Sequence, residues 1–167
     1  FRILQPPHLG GFGLDIPTHL AVAAELARGC ASSAWIQTLI GYQNMLVGFF
    51  DPRAQDEVLA MGGPLLTALV TGPSVTAELV EGGCTLTGKW PYVSGIDHCN
   101  WVMLSAHDPI AKGDGKWRVL TCLLPRTEVT IVDDWFVLGL RATGSKSVTL
   151  DGLFVPEHCI ICLQETA

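Results

Sequence analysis

Several short stretches place reactive residue types close together. Ser94, Asp97 and His98 fall within five positions and hold the nucleophile, acid and base types of a hydrolytic triad. Such triads are defined by geometry, and Ser94 lacks the G-x-S-x-G elbow that would expose it on a strand-to-helix turn. Asp97 and His98 are therefore read as groups that hydrogen-bond their own loop. Cys159-Ile160-Ile161-Cys162, preceded by His158, has zinc-like spacing. A structural zinc site needs four ligands and no second pair stands nearby, so no metal is expected. The run Gly139 to Lys146 has the glycines of a phosphate loop. It ends Gly-Ser-Lys and continues as the strand-like Ser147-Val148-Thr149-Leu150, whereas a phosphate loop must lead into a helix N-terminus. Gly11-Phe12-Gly13 lacks both the third glycine and the preceding strand of a dinucleotide fingerprint.

Around these residues the chain divides into helices followed by strands. Residues 1–15 read as an extended Pro/Gly-rich lead-in. Asp15 can cap a helix with Pro17 in its first turn, running to about Arg28 and ending at Gly29. Ser32 or Ser33 opens a longer helix. On it Trp35, Leu39, Tyr42, Leu46 and Phe49 form one apolar stripe, and Ile36, Ile40, Val47 and Phe50 form another beside it. An apolar arc that wide predicts a helix buried on most sides. Its remaining stripe, Gln37, Gly41, Asn44 and Gly48, is small and polar, a surface another backbone or a ligand can approach closely. Asp51-Pro52 starts a third helix and Gly62-Gly63 stops it.

After Pro64 the period falls from about 3.6 to 2. Strands are expected at 65–70, 76–80 and 84–90, with Glu81-Gly82-Gly83 as a hairpin turn. Further strands are expected at 100–107, 117–124, 129–136 and 146–155, with a hairpin loop at 111–115. Helices first and strands after, without βαβ alternation, predict an α+β chain with an antiparallel sheet domain.

Composition narrows the function classes. The 167 residues are 49% hydrophobic and 16% charged, against a usual charged share of about 25%. Gln37, Gln43 and Asn44 interrupt the best apolar run, which excludes a span of about 18 apolar residues. The excess apolar surface is expected to be covered by further protein. A net charge of −6 without a basic cluster argues against a nucleic-acid partner. Six scattered cysteines and no secretory leader point to reduced thiols and a cytoplasmic location.

Two segments are more distinctive. Gly88-Lys89-Trp90-Pro91-Tyr92-Val93-Ser94-Gly95-Ile96-Asp97-His98, with Trp101, resembles the G-R/K-W-P-F-x-S-G-x-D-H-x-x-W stretch of two-component flavin-dependent monooxygenases, the hydroxylase components built on the acyl-CoA dehydrogenase fold. Trp135 and Gly139-Leu140-Arg141-Ala142-Thr143-Gly144-Ser145, with Val155-Pro156, resemble that group's W-x-x-x-G-L-R-G-T-G-S turn and the V-P that closes its β-domain. Residues 29–58 look like its helical domain. The acyl-CoA dehydrogenases themselves carry a W-I-T-type segment where Trp90 to Ser94 stands here.

The resemblance implies an acyl-CoA dehydrogenase-like α+β fold. Residues 1–63 would be part of an N-terminal helical domain, 64–158 a middle β-barrel or sandwich, and 159–167 a tail. The family's C-terminal four-helix bundle, which drives tetramer formation, would be absent. It implies a monooxygenase that uses reduced FMN or FAD from a separate NAD(P)H-dependent reductase. One oxygen atom of O2 would pass, through a flavin C4a-hydroperoxide, to an aromatic or other electron-rich small molecule. Tyr92, Val93, Ser94 and Gly95 would lie along the flavin ring, with backbone groups and the Ser94 hydroxyl near N5 and O4. Ser94 and Asn44 are the expected catalytic pair, and Gln43, Asn44 and Trp135 would face the substrate. Trp135 would also line the ring, and Arg141 and Ser145 would contact flavin phosphate or a neighbouring subunit. Trp90 and Trp101 are assigned to the core. A thioester dehydrogenase and a non-catalytic β-domain are the alternatives.

Overall fold

A computed structural model describes residues 1–72, 75–110 and 118–162. The expected loop at 111–115 therefore lies outside the described residues. Among the described residues three α-helices, α1 (Ile16–Gly29), α2 (Ala31–Leu46) and α3 (Pro52–Met61), precede eight strands. These are β1 (Thr67–Val70), β2 (Glu78–Val80), β3 (Gly83–Val93), β4 (Trp101–His107), β5 (Val119–Pro125), β6 (Thr130–Val132), β7 (Lys146–Pro156) and β8 (Ile160–Cys162). The strands form two four-stranded sheets, ordered β1-β4-β5-β8 and β2-β3-β7-β6. The sheets pack face to face as a sandwich, without a closed barrel. The Trp90 indole of one sheet donates to the Ser105 carbonyl of the other at 2.8 Å, and Trp90 and Trp101 are both buried.

The helix ends follow local chemistry. The Asp15 carboxylate accepts from the Thr18 amide at 2.8 Å, which caps α1. The Asp51 carboxylate accepts from the Arg53 amide at 2.8 Å, and left-handed Gly62 closes α3. α2 departs from expectation at both levels. Its N-cap is Cys30, whose side chain makes no cap hydrogen bond, and Ser32 and Ser33 lie inside the first turn. Its polar stripe faces inward while Trp35, Tyr42 and Phe49 are about half exposed. The cause is α1. His19 is buried against Gly41, where a Cβ would come within 2.4 Å of the imidazole. The ring bonds to the Thr38 carbonyl and to the Gln37 amide. Glycine admits the histidine, which covers Gln37 and Gly41, while Gln5 and Leu65 engage Asn44 and Pro6 packs on Gly48.

Two further expectations change. Residues 1–15 are not extended: the amides of Phe12, Gly13 and Leu14 return to the carbonyls of Arg2, Gln5 and Ile3, folding the segment on itself. The sheet domain is not wholly antiparallel, since Thr67–Val70 runs parallel beside Trp101–Leu104. Within the stretch expected as a tail, Ile160–Cys162 pairs antiparallel with β5.

Candidate functional site

The 13 residues between β6 and β7 form a long connection, and its placement makes the site. Lys89 holds Asp134 at 2.9 Å, and the other Asp134 oxygen accepts from the Ser147 amide at 2.9 Å. These bonds hold the Asp134 carboxyl well below the ordinary carboxylate range. Lys146 bridges Asp133 and Asp97, each at 3.1 Å, and both carboxylates raise its pKa. The connection is thereby latched to β3, to β7 and to the loop after β3.

Latching brings Trp135, Leu140, Thr143 and Ser145 against the end of β3 and the side of α2. A cavity of about 650 Å³ opens there. Trp35 and Leu39 of α2, Leu69 and Val70 of β1, Pro91, Tyr92 and Ser94 of β3, and Trp135, Leu140, Thr143 and Ser145 line it. The Tyr92 and Trp135 rings meet edge to face, with centroids 6.2 Å apart. Tyr92 and Leu140 are also the two described non-glycine residues with left-handed backbone, at φ 63° and 53°. That conformation costs about 1–2 kcal/mol for an ordinary side chain, and both instances lie on the wall of one cavity. Backbone strain collected in this way is a mark of functional sites.

Along the wall runs a chain of hydroxyls. The Trp35 indole N–H donates to Ser94 Oγ at 3.2 Å, and Ser94 Oγ lies 2.8 Å from Ser145 Oγ. Ser145 Oγ lies 2.7 Å from Thr143 Oγ1, and Thr143 Oγ1 donates to the Leu140 carbonyl at 2.9 Å. That carbonyl also accepts from the Trp135 indole at 3.3 Å.

A second cavity of about 430 Å³ adjoins the first through Trp135 and Thr143. It is lined by Arg141, His98, Gly95 and Gly144, and by Ser32 and Ser33 in the first turn of α2. Arg141 is exposed and has no ion-pair partner among the described residues. A cation beside a helix N-terminus suits an anion such as phosphate. The two cavities together fit a flat ring with a phosphorylated tail: aromatic walls and hydroxyls in one, Arg141 and the N-terminus of α2 in the other.

Ser94, Tyr92, Trp135 and Ser145 thus converge on the first cavity, and Gly95 and Arg141 on the second. Other expected residues do not. Val93 is fully buried in the core. The expected loop amides are turned inward: Ser94 N–H donates to the Tyr92 carbonyl and Gly95 N–H to the Thr143 carbonyl, at 3.0 and 2.8 Å. Asn44 lines neither cavity. Its amide nitrogen donates to the Leu65 carbonyl at 2.7 Å and to Gln5 Oε1 at 3.2 Å, and its oxygen accepts from the Thr67 amide at 3.1 Å. It is a buried brace between α2, the N-terminal segment and β1. Gln43 is buried and lines neither cavity; its Oε1 has no partner among the described residues. Ser94 makes no bond to His98, in keeping with the rejected triad. Away from the cavities, Glu57 accepts from His158 at 2.8 Å and gathers Cys159, while Cys162 is on β8.

Trp35, Leu140 and Thr143 are site residues that sequence reasoning missed. Trp35 read as one member of an apolar stripe, and only the loop's position reveals that its indole reaches Ser94.

No protein-family model matches the chain. Over 161 residues it is 32% identical to the oxygenase subunit HsaA of a flavin-dependent monooxygenase from Rhodococcus jostii, covering 96% of this chain and 42% of that protein. Over 162 residues it is 33% identical to the oxygenase component of an FADH2-dependent resorcinol hydroxylase from a Rhizobium species, covering 96% and 39%. The structure of XiaF from a Streptomyces species, solved with FADH2 and glycerol, superposes with a TM-score of 0.85 at 35% identity, over 98% of this chain and 41% of that one. The chain therefore spans about two fifths of the length of the relatives it matches, and its fold is acyl-CoA dehydrogenase-like.

Proposed function

Because the chain belongs to the oxygenase components of two-component flavin-dependent monooxygenases, we propose that it forms the flavin-ring face of a hydroxylase. The enzyme would insert one oxygen atom of O2 into an aromatic or other electron-rich small molecule, with reduced flavin delivered by a separate reductase. The carrying observation is the cavity in which the two left-handed residues, the Tyr92–Trp135 pair and the Ser94 hydroxyl meet. Its volume and lining are those of a small-molecule site: mostly apolar and aromatic, with few polar groups.

Bound reduced flavin would supply the electrons that activate O2. The chain's own contribution is binding, orientation and exclusion of water. Trp35, Leu39, Tyr92 and Trp135 offer apolar surface to a flat ring and keep water from its edge. The Ser94 hydroxyl, held at fixed distance by Ser145 and Trp35, is the polar group that would set the ring's position. Arg141 and the α2 N-terminus would take the phosphate, and the expected pairing of Ser145 with phosphate gives way to its bond with Ser94. Asn44 and Val93 have no part in this mechanism.

Anaerobic titration with reduced FMN and FAD tests the reading, with intact mass taken on the same sample. Saturable binding of reduced flavin at micromolar concentration, weakened at least about tenfold by Arg141→Ala through loss of a charge-assisted contact, is expected. Absence of binding in both redox states would overturn it.

A further inference from the structure

The fold uses only half of the Cys159-Ile160-Ile161-Cys162 spacing. Cys162 is carried onto β8, while Cys159 meets a residue 102 positions earlier in the chain. β7 ends at Pro156, and a single 3-10 turn, Glu157–Cys159, leads into β8. The Glu157 amide fixes that turn by donating to the Gly82 carbonyl at 2.8 Å. In an extended strand His158 and Cys159 would point to opposite faces. In the turn both reach one carboxylate, that of Glu57 on α3, the helix whose Ala54 and Val58 are buried. His158 Nε2 lies 2.8 Å from Glu57 Oε1, and the Cys159 thiol lies 3.8 Å from Glu57 Oε2.

One carboxylate oxygen, one imidazole nitrogen and one sulfur thus lie within 4.8 Å of one another. Around a tetrahedral zinc ion, ligand atoms at about 2.0–2.3 Å from the metal stand about 3.3–3.7 Å apart. The sulfur–oxygen pair is already near that spacing. The nitrogen–oxygen pair needs to open by less than about 1 Å, exchanging a hydrogen bond for a shared metal. Burial is graded across the three: Cys159 is buried, His158 is mostly buried, and Glu57 is about half exposed. The cluster is therefore closed on the sulfur side and open on the carboxylate side, where water can fill a fourth position. Thiolate and imidazole together favour a borderline-soft cation over magnesium or calcium. Arg53 and Asp51, which also act on the thiol, are of opposite sign, so the carboxylate and the sulfur set the charge of the site.

We propose that Glu57, His158 and Cys159 bind one zinc-class divalent cation, which clamps α3 to the turn between β7 and β8. The metal takes the place of the Cys159 thiol proton and of any proton shared between His158 and Glu57, and these protons leave to solvent. No electron is transferred. None of the three residues lines either cavity of the candidate site, so the clamp stands independently of the flavin reading.

The test titrates zinc into the metal-free, reduced chain against a chromophoric chelator, with cobalt(II) bound to the same protein as a spectroscopic reporter. One zinc per chain at micromolar affinity or tighter is expected, undisturbed by excess magnesium or calcium. Cobalt should give the near-ultraviolet charge-transfer band of a thiolate ligand, which Cys159→Ser removes and Cys162→Ser keeps. Glu57→Gln and His158→Gln should each weaken zinc by at least about tenfold, since even losing a partner of a ligand costs that much. Glu57→Gln preserves the size of a half-exposed side chain and its acceptor for His158, so its loss of zinc is not a loss of folding. Zinc should raise the melting temperature of the wild type and leave that of Glu57→Gln unchanged. Cys30→Ser removes the exposed thiol and should alter none of these results. Absence of stoichiometric zinc, or zinc held equally well by Glu57→Gln and Cys159→Ser, would overturn the proposal. So would an affinity that falls with Cys30→Ser or Cys162→Ser instead, which would put the metal at other thiols. Displacement of zinc by magnesium or calcium would show a carboxylate site without the sulfur, and the clamp would fail on that result too.

Discussion

Asn44, of suitable type in a suitable stripe, has its amide engaged by the fold. It satisfies the Leu65 carbonyl, the Thr67 amide and Gln5 from inside the fold. Asn44→Leu strands two backbone groups and should cost about 2–4 kcal/mol, read as a lower urea midpoint in tryptophan fluorescence. An unchanged midpoint would return Asn44 to the list of catalytic candidates. The helical phase showed that residues 37, 41, 44 and 48 share a face; it could not show that His19 and the N-terminal segment would come to cover it. Ser94 was legible because it sits in a distinctive run of eleven residues. Its partners Trp35 and Ser145 are 59 and 51 positions away, and no local pattern joins them. The motif pointed to Tyr92, which lines the cavity, but not to its left-handed backbone. Placing Asn, which tolerates left-handed backbone, at Tyr92 should raise stability by about 0.5–1 kcal/mol. The same Tyr92→Asn change should weaken flavin binding through loss of the ring that meets Trp135. A fall in both would show that the tyrosine ring, rather than its backbone, dominates the local energetics.

At the scale of elements, punctuation was the readable part. Asp15, Asp51, Gly62 and the turn at Gly82 act through bonds within a few residues, so α1, α3 and the β2–β3 hairpin fall where expected. Strand partners were not readable. β1 is four residues long, and its parallel pairing with β4 depends on a crossover rather than on anything inside Thr67–Val70. The β6–β7 connection is the element on which the site depends, and its latch is electrostatic. Asp134 has its carboxyl pKa depressed first by the Lys89 hydrogen bond and then by those from Ser147. A depressed carboxylate contributes fully above its unfolded value of about 3.9, and the contribution fades as pH falls below it. Asp134→Asn should therefore lower the melting temperature at pH 7 and make a much smaller difference near pH 2. Equal differences at the two pH values would mean that Asp134 acts by shape and not by charge.

The molecule as a whole is held by a sandwich whose two sheets touch through sulfur as well as carbon. Cys84 of β3 and Cys122 of β5 come within 3.9 Å across the interface, and neither side chain reaches solvent. All six cysteines are free thiols, and Cys30 alone is exposed. Burial pushes Cys99 and Cys159 up to about 12, and the hydrogen bond with Cys84, followed by burial, raises Cys122 as well, so these thiols are poor nucleophiles in the folded state. Cys162 is buried, but it lies on the three-residue edge strand β8, which can open locally without disturbing the sandwich. Reaction with an aromatic disulfide reagent at pH 8 should therefore show three classes. One thiol, Cys30, should react at once, and Cys162 should follow at a rate nearly independent of denaturant. Cys84 and Cys122 should react together and last, at a rate that rises with urea in step with global unfolding. The order depends on the two sheets opening as one unit, because neither sulfur can be reached while the other sheet covers it. Early, urea-independent labelling of Cys84 or Cys122 would mean that the sandwich breathes on its own. The cavity walls at β1 and β3, which belong to opposite sheets, would then not be held at the fixed spacing that the hydroxyl chain requires.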